Sequence, residues 1–433
     1  MKNINEYFQY LYSLERAGMK YDLSNITTLC KALGNPQDKF RSIHIAGTNG
    51  KGATASFTAS VLMEHGLKTG LFTSPHILQF NERIRVNGKC ISNAYIKKFL
   101  EDNIKLIKRI KPSFFEVNTA MAFKYFADKK VDTAVIECGL GGRLDSTNIL
   151  NPVVSAITQI DMDHMQFLGN TLREIALEKL GIVKKEVKVI VSDNNRKLVS
   201  LFHKSITENE LLYLDDIARI KVLSNSNGKL KFTVTPKGEK NIVLTTPLPG
   251  KYQVRNAAAG YFIVKQFLFE TGNKFQPGKF KKGISDVKKN TGYFGRLELF
   301  NKNGKQYLLD VSHNPDGIKN SITSVKNIGF KPDVVIFGIM SDKDHKSALK
   351  EILPFSKNII LTKPDYERAQ EPCILYSDSL KMKSTNNLML DNSVKGALEI
   401  ADKMNYKRIM IIGSFFMVSD ALKALGIHDI PVK

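Results

Sequence analysis

Short apolar, β-branched runs alternate along the chain with longer stretches whose apolar residues recur at helical spacing. This is the pattern of an α/β protein built on parallel strands. Residues 42–46 (SIHIA) read as a buried strand, followed by a glycine-rich turn and a helix over 53–65. A short strand is expected at 69–73, helices at 93–109 and 116–128, and apolar strands at 132–138 and 153–158 that end in loops rich in Gly, Asp and His. A helix over 171–183 and a strand over 187–191 come next. Between about 212 and 246 the pattern changes to alternation with a turn at Pro236-Lys237-Gly238, which predicts an antiparallel hairpin. A helix over 252–270 precedes the Gly-containing junction NTGYFG at 290–295. Placing a boundary there divides the chain into residues 1–292 and 293–433. The second part repeats the α/β rhythm, with strands near 306–311, 333–338, 358–361 and 408–412.

A chain of 433 residues has room for about two or three domains. With 42% hydrophobic and 24% charged residues it is too apolar to be disordered. No apolar run approaches the ~18 residues of a membrane helix, and the N-terminal segment, with Glu6 and Glu15, lacks a secretory apolar region. The cysteines, Cys30, Cys90, Cys138 and Cys373, show no CxxC pair and imply neither a zinc framework nor a disulfide scaffold. A reducing cytoplasm and no membrane association are expected.

The net charge of +22 admits an anionic partner or a solvated lysine-rich surface. The basic residues are 51 Lys and only 13 Arg, spread along the chain, and the densest run (Lys279, Lys281, Lys282, with Lys288 and Lys289) has little aromatic interleaving. Base reading favours bidentate Arg, so no nucleic-acid partner is expected.

Four segments carry candidate chemistry. HIAGTNGKGAT (44–54) runs from a strand through glycines and Lys51 into a helix start, where converging N–H groups and a lysine can hold phosphates. It departs from GxxxxGK[ST], since Ile45 stands at the first glycine position and Gly52 follows the lysine. IECGLGGRLDSTN (136–148) places Glu137 at a strand end, either as an Mg²⁺ ligand or as a surface residue of a tight turn. DMDHMQFLG (161–169) offers His164 as a metal ligand, an acid/base or an ordinary loop residue. DVSHNPDG (310–317) again sets polar residues past an apolar strand. A GxSxG elbow, the HRD and DFG kinase motifs and a GxGxxG turn after the first strand are all absent.

Together these segments resemble the folylpolyglutamate synthase/dihydrofolate synthase family of the Mur-ligase superfamily. SPH (74–76), FNERIRVNG (80–88), FEVNTAMAF (115–123), Asn256-Ala-Ala and GRLE (295–298) extend the likeness in order over nearly the whole chain. The resemblance implies an N-terminal P-loop ATPase domain and a C-terminal Rossmann-like domain with ATP in the cleft between them. It implies that Gly47, Thr48, Asn49, Gly50, Lys51 and Gly52 hold the triphosphate, with Asn256, Arg296 and Asp310 also on ATP. Ser74, Glu137 and His164 are implied as Mg²⁺ ligands, and Lys51, Lys179 and His313 as catalytic groups, Lys179 at the position that can be carbamylated. Phe115, Glu116, Val117, Asn118, Leu144, Asp145 and Ser146 are implied near the pterin, with a weaker match at Asp22. Two departures are Ala53, where Ser is frequent, and Leu180, where Ala is usual and where the leucine could crowd Lys179.

The implied activity is ATP-dependent addition of L-glutamate to a folate or dihydropteroate carboxylate through an acyl phosphate, by a monomer. Two alternatives remain at this point. One is another Mur-type amide ligase, although too little chain precedes Gly47 for the usual third domain. The other is a basic nucleic-acid-binding P-loop module, which would need a basic face with stacking aromatics.

Overall fold

The computed structural model describes residues 3–14, 22–207, 210–226, 228–382 and 385–430. The strands are β1 (Arg41–Ala46), β2 (Thr69–Phe72), β3 (Ile84–Val86), β4 (Lys89–Cys90), β5 (Thr133–Glu137), β6 (Val154–Ile157), β7 (Lys188–Val191), β8 (Leu211–Tyr213), β9 (Ala218–Ser226), β10 (Lys229–Pro236), β11 (Ile242–Thr246), β12 (Glu298–Lys302), β13 (Lys305–Asp310), β14 (Val334–Phe337), β15 (Asn358–Leu361), β16 (Asn387–Leu390) and β17 (Arg408–Ile412). They form three sheets, in the orders β4-β3-β2-β5-β1-β6-β7-β8, β11-β10-β9 and β12-β13-β17-β14-β15-β16. No helix among the described residues is long and apolar enough to cross a membrane.

In the first sheet β1 lies between β5 and β6, parallel to both. All three are buried on both faces, which is why they read as continuous apolar runs. Alternate residues serve opposite cores. Ile43, Ile45 and Val135 pack with Phe57 and Val61 of helix Lys51–Glu64 and with Tyr261 and Val264 of helix Gln253–Glu270. Ala134 and Ile136 pack with Phe123 and Phe126 of helix Phe114–Asp128. The chain leaves β1 toward β2 on one side and reaches β6 on the other, so the loops after β1, β5 and β6 converge at a topological switch point.

The third sheet lies wholly within residues 298–412. Only β12 is antiparallel to its neighbour, and helices cover both faces. Ile77, from the loop after β2, is buried in this C-terminal core beside Val311 and Met417. One apolar side chain thus plugs the first lobe into the second.

Several elements differ from the sequence reading. Helix Lys51–Glu64 starts two residues early, because Gly50 in the left-handed region forms its N-cap. Helix Leu172–Leu180 stops short of 183, and Gly181, Ile182 and Val183 continue as tight turns. The hairpin has three strands. Strands β3, β4, β8, β12 and β16 were not anticipated. They are short (two to five residues) and lie at or near sheet edges; β4, β8, β12 and β16 are partly exposed, whereas β3 is buried but only three residues long with Arg85 at its centre.

Candidate active site

The turn after β1 crosses beneath β6. Thr48 and Asn49 donate their N–H groups to Gln159 O at 2.7 and 3.1 Å. Gly47 (φ +151) and Gly50 (φ +91) are required here: a Cβ on Gly47 would stand 1.9 Å from Thr158 Oγ1, and one on Gly50 2.5 Å from Asn256 Oδ1. The turn delivers Lys51 to the first position of its helix. With no carboxylate partner among the described residues, Lys51 Nζ curls back to Gly47 O (3.0 Å) and Thr48 O (3.1 Å). Lys179 is buried against the same turn and donates to Gly47 O at 2.9 Å. Burial, helped by the nearby Lys51 charge, pulls the Lys179 ammonium down to about 7.

Glu137, at the end of β5, is 4% exposed. Its Oε2 accepts the Ser74 N–H at 3.1 Å, beside the cis Ser74–Pro75 peptide. Burial pushes its carboxyl up to about 7 against the attraction of Lys51. His164 stands in the left-handed region at the start of a short helical turn. Its Nε2 lies 3.3 Å from Lys343 Nζ, and Lys343 reaches Asp163 Oδ1 at 2.6 Å. His313 Nε2 lies 3.8 Å from Asp163 Oδ2. Burial draws both imidazoles down to about 4. Burial alone would raise Asp163, but its cationic neighbours hold it well below the usual range. Protonated His164 contributes most to this, followed by Lys343 and His313.

One cavity of about 230 Å³ between the lobes joins these groups. Of the expected residues, Gly47, Thr48, Asn49, Gly50, Lys51, Gly52, Ser74, Glu137, His164, Lys179, Asn256, Arg296 and His313 line it. Asp310 does not. It is fully buried and accepts from the N–H groups of Leu297 (2.9 Å) and Ser312 (2.8 Å), which aims the two loops bearing Arg296 and His313. Arg296 lies over the Phe415 ring at 5.6 Å.

The residues expected near the pterin lie outside this cavity lining. Phe115 packs on Phe72 at 5.8 Å and against Gly139, which does line it. Glu116 closes a capping box with Ser113. Val117 is in the core. Leu144 is half-buried. Asp145 accepts from Leu140 N–H and from Thr147. Ser146 Oγ pairs with Thr119 Oγ1 at 2.8 Å. Asn118 is different: it is fully buried and neither side-chain amide atom has a partner. Asp22 caps a turn, accepting from Ser24 N–H. Leu180 packs into an apolar cluster with Cys138 and Ile175.

Gln159, Asp163, Tyr293 and Phe415 also line the cavity, and Lys343 reaches its wall, though none was singled out from the sequence. A signal existed for most of them, because polar and aromatic residues directly after parallel strands are where such folds put ligands.

The donor set suits magnesium. Among the described residues no three His, Cys, Asp or Glu side chains cluster as a metal cage. Magnesium in a phosphate site needs only one or two carboxylates, with phosphate and water completing its shell. Glu137 with the Ser74 hydroxyl, facing Lys51 and the phosphate loop, supplies that pattern, and His164 adds an imidazole.

The Mur ligase middle domain family matches residues 45–264, and the Mur ligase glutamate ligase domain family matches residues 295–415. The chain is 34% identical over 378 residues to folylpolyglutamate synthase of Lacticaseibacillus casei, covering 85% of this chain and 87% of that protein. It is 31% identical over 427 residues to dihydrofolate synthase/folylpolyglutamate synthase of Bacillus subtilis (strain 168), covering 94% and 96%. A solved folylpolyglutamate synthase complex with AMPPCP and folate superimposes with a TM-score of 0.83 at 30% identity, over 98% of this chain and 99% of that one. The chain belongs to the folylpolyglutamate synthase/dihydrofolate synthase family of the Mur ligases.

Proposed function

We propose that this protein uses ATP to join L-glutamate to the carboxylate of a folate or a pteroate acceptor, acting both in tail extension and as a dihydrofolate synthase. The observation that carries this reading is the facing of Lys51 and the glycine turn by Arg296, Ser312 and His313 across one inter-lobe cavity. The names of the relatives and the glutamate ligase domain support the substrate class.

A carboxylate acylates poorly because its leaving group would be oxide. In this reading an acceptor carboxylate oxygen attacks the γ-phosphorus of ATP, and ADP leaves. The glutamate amine then attacks the acyl carbon, and phosphate leaves. Most of the catalysis is positioning and charge neutralisation. The N–H groups of Gly50, Lys51 and Gly52 at the helix start hold the phosphates, and Lys51 swings from its carbonyl partners onto them. Asn256 and Arg296 bind ATP from the two lobes, and Asp310 acts through the loops it aims. Ser74, Glu137 and His164 would hold Mg²⁺, which when bound would supply positive charge to the transferring phosphoryl group. His313 places Nδ1 3.1 Å from Val311 O. With the proton on Nδ1, its Nε2 lone pair can take the proton the amine loses. The partnerless Asn118 amide offers a donor and an acceptor to a heterocycle near Phe115. Lys179 stands by the loop, either as an amine or as a carbamate.

In this reading residues 1–292 and 293–433 are the two domains, closing as a cytoplasmic monomer to keep water from the acyl phosphate. Phosphate release from MgATP with L-glutamate tests it, comparing dihydropteroate with tetrahydrofolate. Release with both is expected. Release with one alone assigns the enzyme to one reaction, and release with neither overturns the assignment.

A further inference from the structure

Asp161 and Asp316 meet across the lobes beside the phosphate loop. Asp161 follows β6, and Asp316 sits in the first turn of helix Pro315–Asn327. The Asn49 amide donates to Asp161 Oδ2 at 3.3 Å and to Asp316 Oδ2 at 3.4 Å. The Gln159 amide donates to the same two oxygens, each at 3.3 Å. Two oxygens that share both amides lie side by side. Full charges on both would repel, and one proton held between them turns that repulsion into a hydrogen bond.

The pair also grips the loop. Asp161 N–H donates to Thr48 Oγ1 at 3.1 Å. From the C-terminal lobe, Asn314 Nδ2 donates to Asn49 Oδ1 at 3.2 Å, and Asn320 Nδ2 to Asp316 Oδ2 at 2.7 Å. Among the described residues no cation forms an ion pair with either acid. Lys51 and Lys179 give their hydrogen bonds to loop carbonyls, and Lys343 is committed to Asp163. Asp193, after β7, is a third acid facing Asp161, its oxygens taken by the N–H groups of Ile160 and Asn195.

We infer that Asp161 and Asp316 are positioning residues, a carboxyl pair sharing one proton that ties the C-terminal lobe to the phosphate loop through Asn49 and Gln159. Neither touches the reacting atoms. The inference rests on the reading of that loop as the nucleotide site. Its consequence has a definite sign. Burial and the Asp316 charge raise Asp161 from 3.8 to about 7. A raised carboxyl favours the joined state while protonated, and that contribution is lost as pH rises through about 7. Alkaline conditions therefore loosen the lobes.

The test uses the full chain and two variants. Asp316→Asn keeps size and hydrogen bonding without the second charge, and Asp316→Ala removes the tie. The ratio of wild-type to Asp316→Asn MgATP affinity, in which the pH response of Glu137 common to both forms cancels, is expected to fall roughly tenfold from about pH 6 to about pH 8.5. Asp316→Asn should lack this loss, and Asp316→Ala should bind more weakly than Asp316→Asn at both values. An Asp316→Asn variant that follows the wild-type slope, or an Asp316→Ala variant that binds like the wild type at the lower pH, overturns the inference. A second readout needs no nucleotide. Cys90 and Cys373 are exposed, one on each lobe, while Cys30 and Cys138 are buried. A donor and acceptor dye on the exposed pair should report a separation that grows with pH in the wild type and stays fixed in Asp316→Asn. A wild-type separation that ignores pH overturns the inference. Failure of every form to bind MgATP strikes instead at the nucleotide reading, and the dye measurement still judges the pair.

Discussion

Lys179 Nζ donates to the carbonyl of Gly47 at 2.9 Å, although 132 residues separate the two. The contact pins the helix after β6 to the glycine turn after β1, and it does so with a lysine only 3% exposed. With the charge of Lys51 also near, the ammonium is drawn from 10.5 to about 7.

A lowered lysine subtracts stability wherever it must be charged. The penalty is full below about pH 7 and fades as pH rises toward the unfolded value of 10.5. Lys179→Met should therefore raise Tm at neutral and lower pH, by about 1–2 kcal/mol in stability, while sharply reducing ligase turnover. Thermal melts at several pH values check this. A melting temperature that falls on substitution would show that the ammonium is held favourably.

Lys51→Ala should lower kcat/KM by about 10³-fold or more and leave the melting temperature nearly unchanged. Among the described residues its only hydrogen-bond acceptors are two loop carbonyls that water can replace. Retained turnover would remove the lysine from phosphate binding.

Glu137→Gln should greatly raise the Mg²⁺ needed for half-maximal activity, or abolish activity. In the wild type, Mg²⁺ affinity should improve as pH rises through about 7, because the carboxyl must lose its proton to bind the ion. A magnesium titration at two pH values reads both effects. Unchanged magnesium dependence in the variant would take Glu137 out of the metal shell.

Gly50→Ala adds a Cβ 2.5 Å from Asn256 Oδ1 on a backbone at φ +91. The strain should cost about 1–3 kcal/mol and raise KM for ATP more than it lowers kcat. An unchanged KM would mean that the turn adapts without disturbing the nucleotide.

Asn118→Leu removes a buried amide whose two polar atoms have no partner. Stability should hold or rise by about 1 kcal/mol, while kcat/KM for the pterin acceptor falls by about tenfold or more. A stable variant with unaltered acceptor kinetics would place the heterocycle elsewhere.

The central strands were legible because β1, β5 and β6 are buried on both faces, and continuous apolar runs of β-branched residues have few other uses. Strands β12 and β16 were not, because edge strands carry little burial: β12 keeps polar residues, and β16 offers only three apolar residues in a row. Of the candidate site, the part held by local backbone geometry was readable. Gly47, Gly50 and Lys51 declare themselves by spacing, and Glu137 and His164 by following strands. Asp310 was placed near the nucleotide by resemblance, and the fold adds that its carboxylate works through the backbone of Leu297 and Ser312.

What the sequence determined alone is the set of short-range features: the glycine turn, the helix that starts on it, the strand ends and the family likeness. Tertiary structure decided which distant side chains meet. Asp161 faces Asp316, Lys343 caps Asp163, and Ile77 plugs the neighbouring lobe. These pairings depend on how two sheets stack across a cleft. Hydrophobic periodicity fixes which face of an element is buried, whereas the partner across an interface follows from the packing of the whole molecule.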